Sequence, residues 1–184
     1  VLNKYKEPHR VYHNDAHLQD CLSKFNTIVD KLDNPEVVEA AIWFHDAVYL
    51  PVSGKNEEKS VQLMHTMLYN ECGVNYTVRK FIDHLIMGTK HRNDYVPELE
   101  DEKYFLDIDM SILGEPEDTY NKYSAGIRLE YGFIPVSIYQ EKRSEILRGF
   151  LSRKHIYHTE HFRNLYQAQA EKNILRELGS YYAI

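Results

Sequence analysis

Hydrophobic residues recur at intervals of three and four positions along most of the chain, which is the pattern of amphipathic helices. Asparagine caps, helix-starting prolines and terminal glycines bound about eight such stretches. No segment alternates between apolar and polar residues for long enough to predict a strand. We therefore expect an all-α fold, a single-domain helical bundle over residues 1–184. The expected helices cover approximately residues 14–32, 34–50, 56–73, 75–91, 101–113, 117–131, 135–157 and 160–178.

The second expected helix contains the stretch Ala40–Tyr49, which is apolar on every side of a helical wheel. A helix of that character is usually buried all round. His45 and Asp46 nevertheless lie side by side within it. A buried carboxylate is costly unless it is paired, hydrogen-bonded or bound to a cation. The stretch therefore indicates a bound metal ion.

The fifth expected helix carries two acids on opposite sides, Asp107 and Asp109. At about 100° per residue, Asp109 falls in the middle of the apolar face. Asp107 falls opposite, where water can reach it. A buried salt bridge or a cap to another helix is the alternative explanation for Asp109. If Asp109 binds a metal, Asp109→Ala should lose metal and activity, whereas Asp107→Ala should keep both.

His17 completes a possible set of metal ligands. It lies at the edge of the apolar stripe of the first helix, and alone such a histidine is more often structural. Together with His45, Asp46 and Asp109 it supplies two imidazoles and two carboxylates from three helices. A mixed nitrogen and oxygen set suits Mn, Fe, Ni, Co or Zn, with Mg possible but less natural around imidazole.

Composition and charge narrow the function classes. The net charge of −6 without a basic block argues against a nucleic-acid partner. No apolar run approaches the roughly 18 residues of a membrane span, and nothing resembles a signal peptide. Cys21 and Cys72 form no spacing motif and are expected to be small buried residues of a reducing compartment. We therefore expect a cytoplasmic protein with no membrane partner.

The spacing of His17, of His45-Asp46 twenty-eight residues later, and of Asp109 on a later helix resembles the H…HD…D signature of the HD-domain superfamily. The flanking segments are similar to one small bacterial group, the predicted metal-dependent HD phosphohydrolases. The likeness extends over most of the chain, from about residue 5 to residue 178. The segments that carry it are residues 7–14, 41–49, 56–58 and 105–109.

This resemblance implies an HD-domain-like helical fold with one divalent metal ion bound by those four residues. It also implies hydrolysis of a phosphate ester in a nucleotide or another small phosphorylated metabolite. Ala47 departs from the HDD variant of the di-iron oxygenases in this superfamily, which speaks against the alternative of a redox enzyme. A non-catalytic helical regulatory module with a structural metal is a third possibility, and a closed coordination sphere would support it.

Hydrolysis at such a centre needs a group that accepts a proton from water. Asp46 can do so only in part if it is a ligand. Glu57, in the first turn of the third helix, is the second candidate catalytic residue, with Glu58 beside it. Acids in a first helical turn are, however, usually just exposed.

Phosphate binding needs cationic or N–H donors beside the metal. Arg10 and His13 are candidates because they directly precede the first helix. His91 can turn inward if the fourth helix breaks near Gly88, which a glycine permits. Arg143 lies in the inner stripe of the seventh helix, where a buried pair with an acid explains it at least as well. The predicted phosphate-binding residues are thus Arg10, His13, His91 and Arg143.

Overall fold

The computed structural model describes residues 1–70, 72–92 and 95–181, which form helices and loops without a strand. The all-α bundle predicted from the sequence is thereby confirmed for these residues. The chain divides into two compact units, Val1–Asp109 and Met110–Ile184. The single domain over residues 1–184 stays a prediction. Within the described ranges, no helix combines the length and the apolar character needed to cross a membrane.

Five α-helices build the first unit, the last of them ending at the unit boundary. The second unit contains four α-helical segments, of which α8 and α9 are joined by the π-helical turn Arg163–Gln167. Counted as one, α8 and α9 form the predicted eighth helix, so the described residues hold eight helices, as expected. The segments are α1 (Asp15–Ile28), α2 (Pro35–Phe44), α3 (Asn56–Asn70), α4 (Tyr76–Gly88), α5 (Glu100–Met110), α6 (Glu117–Glu130), α7 (Val136–Ser152), α8 (Glu160–Phe162) and α9 (Ala168–Ser180).

The core of the first unit forms where α4 packs against α2 and α3. Val38, Ala41 and Ile42 of α2 are fully buried, as are Leu85 and Ile86 of α4. Burial of apolar surface contributes about 25 cal/mol per Å². This packing therefore stabilises the first unit and fixes the end of α2, from which two of the predicted ligands follow.

Side-chain caps define two of the helix starts that the sequence predicts. The Asn14 side chain accepts a hydrogen bond from the backbone N–H of Ala16 (2.9 Å), and Asn75 does the same for Val78 (3.0 Å). Asn56 behaves differently, because its amide bonds to the backbone N–H and carbonyl of Leu50 at 3.1 and 3.0 Å. It therefore ties the start of α3 to the segment that follows α2.

α2 ends at Phe44, well short of Pro51, so the prediction of a longer second helix is wrong. In a continuing helix the carbonyl of Ala47 would accept from residue 51, but proline has no N–H to donate. The carbonyls of Asp46 and Ala47 instead accept hydrogen bonds from the Arg10 guanidinium at 2.6 and 3.2 Å. The two ionisable residues of this stretch therefore lie in the turn after α2, not inside a helix.

In the second unit, α7 also ends earlier than predicted. It stops at Ser152, whose hydroxyl donates to the Gly149 carbonyl at 2.7 Å, and Arg153 is already extended. The residues that follow are held by side chains, since the Ile156 N–H donates to the Gln167 amide oxygen at 3.0 Å. Local side-chain bonding has replaced the last predicted turn of the helix.

Candidate metal centre

The four residues predicted to bind a metal converge at one place in the first unit. His17 lies in the first turn of α1, His45 and Asp46 follow α2, and Asp109 lies near the end of α5. The Nε2 atoms of His17 and His45 are 3.2 Å apart. Asp46 Oδ2 lies 3.3 Å from His45 Nε2 and 3.7 Å from His17 Nε2. Asp109 Oδ1 lies 3.3 Å from His17 Nε2 and 3.6 Å from His45 Nε2.

These separations fit the ligand atoms of a single cation. Transition-metal bonds to imidazole nitrogen and carboxylate oxygen are about 2.0–2.2 Å long, so neighbouring ligand atoms lie about 3.0 Å apart in an octahedral site and about 3.4 Å apart in a tetrahedral one. The five separations span 3.2 to 3.7 Å. Two carboxylates beside two neutral imidazoles also carry a net charge that balances a divalent ion. The donor set and its spacing therefore fit one divalent metal.

Both imidazole rings have a hydrogen-bonding partner at Nδ1, and Nε2 of each ring faces the centre. His45 Nδ1 lies 2.8 Å from the carbonyl oxygen of Ile42, which can only accept, so Nδ1 carries the hydrogen. The lone pair of the neutral ring is then on Nε2. The Tyr12 hydroxyl lies 3.1 Å from His17 Nδ1 and orients the second ring, and it can accept a hydrogen bond from Nδ1 when Nε2 binds a metal. Metal-binding histidines usually have such a partner on the other nitrogen.

His91 adds a fifth side chain to the centre. α4 ends at Gly88 and Thr89 caps it, which is the break that an inward turn of His91 requires. The φ angle of His91 is 47°, a left-handed conformation that is uncommon outside glycine. His91 Nε2 lies 2.9 Å from Asp109 Oδ2, while Oδ1 of the same carboxylate faces the two histidines. His91 therefore orients Asp109, and its role in binding phosphate stays a prediction.

The two carboxylates attract positive charge to this buried place. Burial alone would lower the pKa of His45, but the nearby Asp46 and Asp109 outweigh it and raise that pKa to about 9. Burial also opposes the charged form of the carboxylates. Even so, His45 holds the pKa of Asp46 well below its ordinary range, and a hydrogen bond from His17 does the same for Asp109. The negative charge that keeps a proton on His45 can also be balanced by a metal cation.

Cys21 also lies at the centre, although its sequence context predicts only a small buried apolar residue. It forms a group with His17, His45 and Asp109 whose potential ligand atoms all lie within 4.8 Å of one another, and such a group could hold a metal ion. The signal was available, because His17 and Cys21 are four residues apart on α1 and share a face. Burial raises the pKa of the Cys21 thiol well above its usual value.

The position of the Cys21 sulfur sets it apart from the other members of that group. Sγ lies 3.8 Å from both ring nitrogens of His17, so it is beside the ring and not in front of Nε2. An ion bonded to Nε2 at about 2.1 Å would lie more than about 4 Å from Sγ, whereas a metal–thiolate bond is about 2.3 Å long. Asp46 is therefore better placed than Cys21 to be the fourth ligand.

Arg10 does not offer its guanidinium to a phosphate. Its side chain has no exposed surface, and Nε and Nη2 both donate to the Glu7 carboxylate at 3.1 Å. The remaining N–H groups donate to the carbonyls of His13, Asp46 and Ala47. All five N–H groups of the guanidinium are thus used. We correct the sequence-based expectation accordingly: Arg10 shapes the turn that carries Asp46 and does not bind phosphate.

Two further predicted site residues lie next to the turn that carries Asp46. The His13 ring stacks on a neighbouring tyrosine ring. The charge of His13 lowers the pKa of Asp46. Glu57 is half-buried in the first turn of α3. One turn later the Ser60 hydroxyl accepts from the backbone N–H of Val48 at 3.0 Å, which places the start of α3 beside this turn. Phosphate binding by His13 and proton transfer by Glu57 stay predictions.

The expectation that Asp107 is exposed to water is wrong. Asp107 is only 1% exposed, because α5 is enclosed on nearly all sides, with Phe105, Leu106 and Ile108 also buried. The wheel identified the side that carries Asp109 correctly, but it assumed that the opposite side was wet. Asp107→Ala would therefore disturb a buried site and cannot serve as a surface control.

Arg143 belongs to the second unit, where it forms a buried ion pair. Its Nε donates to Glu177 Oε1 at 2.9 Å, and its Nη1 donates to the Tyr123 hydroxyl at 3.1 Å. This is the buried pair expected as the alternative to phosphate binding, with Glu177 as the acid. We therefore remove Arg143 from the phosphate-binding set.

The centre is buried but has one accessible edge. The side chains of Asp46, Asp109 and His91 keep 18%, 15% and 20% of their surface exposed, whereas His17 and His45 keep 3% and 2%. A small molecule would therefore approach from the side of the carboxylates.

No protein-family model, no curated protein and no solved structure matches this chain, so its resemblance to HD domains stays a prediction.

Proposed function

We propose that the protein is a metal-dependent phosphohydrolase whose single divalent ion is bound by His17, His45, Asp46 and Asp109. The observation that carries the proposal is the convergence of two imidazole nitrogens and two carboxylate oxygens at separations of 3.2 to 3.7 Å. A divalent ion held by such ligands activates water and neutralises charge on a phosphoryl oxygen. The substrate class, a phosphate ester of a nucleotide or another small metabolite, follows from the resemblance to HD phosphohydrolases.

The surrounding residues support a catalytic centre in preference to a structural one. The Ile42 carbonyl, Tyr12 and His91 hold three of the ligands in orientation, which is the pre-organisation a catalytic metal site needs. Structural metal sites are closed, whereas this centre has an accessible edge at Asp46. Asp46 and Glu57 are the groups we assign to accept a proton during hydrolysis.

Phosphate release from a panel of mono- and triphosphates tests this function. Asp109→Ala removes one ligand, and Asp30→Ala is the matched control because Asp30 is exposed in the turn after α1. We expect metal-loaded wild type and Asp30→Ala to release phosphate at similar rates. Asp109→Ala should be at least about 100-fold slower, with its helix content unchanged by circular dichroism.

Two results would contradict the proposal, and they can be told apart. Equal rates for Asp109→Ala and wild type would show that hydrolysis does not depend on this centre. A wild-type protein that carries a full equivalent of metal but releases phosphate from no substrate would retain the metal site and rule out the phosphohydrolase.

A further inference from the structure

The second unit contains a cleft of about 580 Å³ between α6, α7 and α9. This volume lies within the range of roughly 300–1,000 Å³ that is typical of small-molecule sites. Three tyrosines, Tyr120, Tyr139 and Tyr181, contribute to the lining together with Val136 and Ala125. The exposed wall surface is therefore mainly apolar, although most of the lining residues carry polar or charged groups.

Most polar groups in this cleft already have partners. The Glu177 carboxylate accepts hydrogen bonds from the hydroxyls of Tyr120 and Tyr181, each at 2.5 Å. It also accepts from Arg143 Nε at 2.9 Å. Glu177 thus has both oxygens satisfied and is not available to a ligand.

Tyr139 is the exception. It is only 7% exposed, it lines the cleft, and its hydroxyl has no hydrogen-bond partner among the described residues. Buried hydroxyls are normally paired, and each unpaired one requires an explanation. Because the phenol is a donor at neutral pH, the missing partner is an acceptor atom. A molecule in the cleft can supply that acceptor.

The Arg128 guanidinium provides a cation next to the Tyr139 ring. It lies over the Tyr139 ring, 4.8 Å from the centroid. Two of its five N–H groups donate to the carbonyls of Tyr131 and Ile134, at 2.6 and 3.0 Å. The planar guanidinium therefore has further N–H donors to offer, and their arrangement matches the geometry of a carboxylate.

The charges around the cleft favour a ligand with one negative charge. Arg128 and Arg176 line it together with Glu117 and Glu177, so these four charges cancel. Arg143, which is bound to Glu177, leaves one positive charge in excess. A carboxylate balances that excess, whereas a phosphate monoester brings about −1.5 to −2 charges at neutral pH.

We propose that this cleft binds a small aromatic carboxylate. The carboxylate accepts hydrogen bonds from the Tyr139 hydroxyl and from Arg128, and the aromatic ring packs against Tyr181. The site lies entirely within the second unit, and the proposal does not depend on the hydrolytic function assigned to the metal centre.

Isothermal titration of the full chain with benzoate tests the proposal. Tyr139→Phe removes only the unpartnered hydroxyl, and Tyr76→Phe makes the same change at a residue that is 63% exposed in the first unit. We expect benzoate to bind wild type and Tyr76→Phe with equal affinity, and Tyr139→Phe at least tenfold more weakly. Phenyl phosphate and the neutral benzyl alcohol should both bind wild type more weakly than benzoate does.

Several outcomes would overturn the proposal. These are the absence of benzoate binding at millimolar concentration, an affinity that Tyr139→Phe leaves unchanged, and equal binding of benzyl alcohol. A melting temperature measured without ligand adds an independent check. Tyr139→Phe should melt no lower than Tyr76→Phe, since the hydroxyl it removes has no partner; a clearly lower value would show that the hydroxyl is already satisfied within the protein.

Discussion

Replacing His91 with asparagine isolates the contribution of its imidazole to the metal centre. His91 has a φ angle of 47°, and asparagine adopts this left-handed conformation more readily than most residues, so the backbone can be retained. The change removes the 2.9 Å interaction between His91 Nε2 and Asp109 Oδ2. It leaves the four proposed ligands in place.

The size of the effect follows from the environment of Asp109. Residues that orient a metal ligand typically change metal affinity about 10- to 100-fold, which corresponds to about 1.4–2.7 kcal/mol. The Asp109 side chain is 15% exposed, so water can partly replace the lost donor. We therefore expect the lower part of this range, a loss of about 10- to 30-fold in affinity.

Competition of the protein with a chelator for Zn²⁺ or Mn²⁺ measures this loss directly. His155→Asn is the control, because His155 is exposed in the second unit. His91→Gly should lose the same metal affinity, because it removes the same imidazole while glycine adopts the left-handed backbone without strain. If both His91 variants bind metal within twofold of wild type, His91 does not orient Asp109. If neither variant binds metal at all, His91 is itself a ligand.

Three further predictions concern other buried groups. Cys21→Ala should bind metal within about threefold of wild type in the same titration, and a complete loss would make the thiolate a ligand. Glu177→Gln should lower the free energy of unfolding in urea by about 2 kcal/mol at pH 7. Burial would raise the pKa of Glu177, but its pair with Arg143 lowers it. The stabilisation by the ionised Glu177 is therefore present above about pH 4.3, the ordinary glutamate pKa, and is lost as the pH falls further. A stability difference between wild type and Glu177→Gln that stays constant to pH 3 would contradict this. Gly114→Ala should lower the free energy of unfolding by about 1–3 kcal/mol and so lower the melting temperature. The new Cβ would lie 2.4 Å from the Cβ of Tyr166 and 2.6 Å from its carbonyl oxygen. An unchanged melting temperature would mean that this contact relaxes freely.

Local periodicity is sufficient to predict the helical class, whereas the set of four ligand residues also depends on ionisable residues at apolar positions and on the resemblance to HD domains. Helix starts at Asn14 and Asn75 follow from a side chain that bonds to a backbone N–H two or three residues away, which is information contained in a short window. Asp109 was recognised because it is charged at an apolar position of α5. These signals are local, and the structure confirms the two caps.

The remaining features depend on contacts that are distant in sequence. The end of α2 requires Arg10, which lies 36 and 37 positions before the carbonyls it bonds. The burial of Asp107 depends on what packs against the second side of α5, which a single helical wheel cannot show. The partner of Arg143 is 34 residues away in Glu177. Pairings of this kind become visible only when the helices are placed in space.

Elemental analysis of protein purified without added metal tests the four-ligand centre most directly. We predict about one equivalent of a divalent transition metal per chain in wild type and in Asp30→Ala, and less than about a tenth of an equivalent in His45→Ala. Circular dichroism should show that all three proteins are equally helical. The account is contradicted if wild type contains no metal and takes up none from Mn, Fe, Co, Ni or Zn salts, or if folded His45→Ala retains a full equivalent.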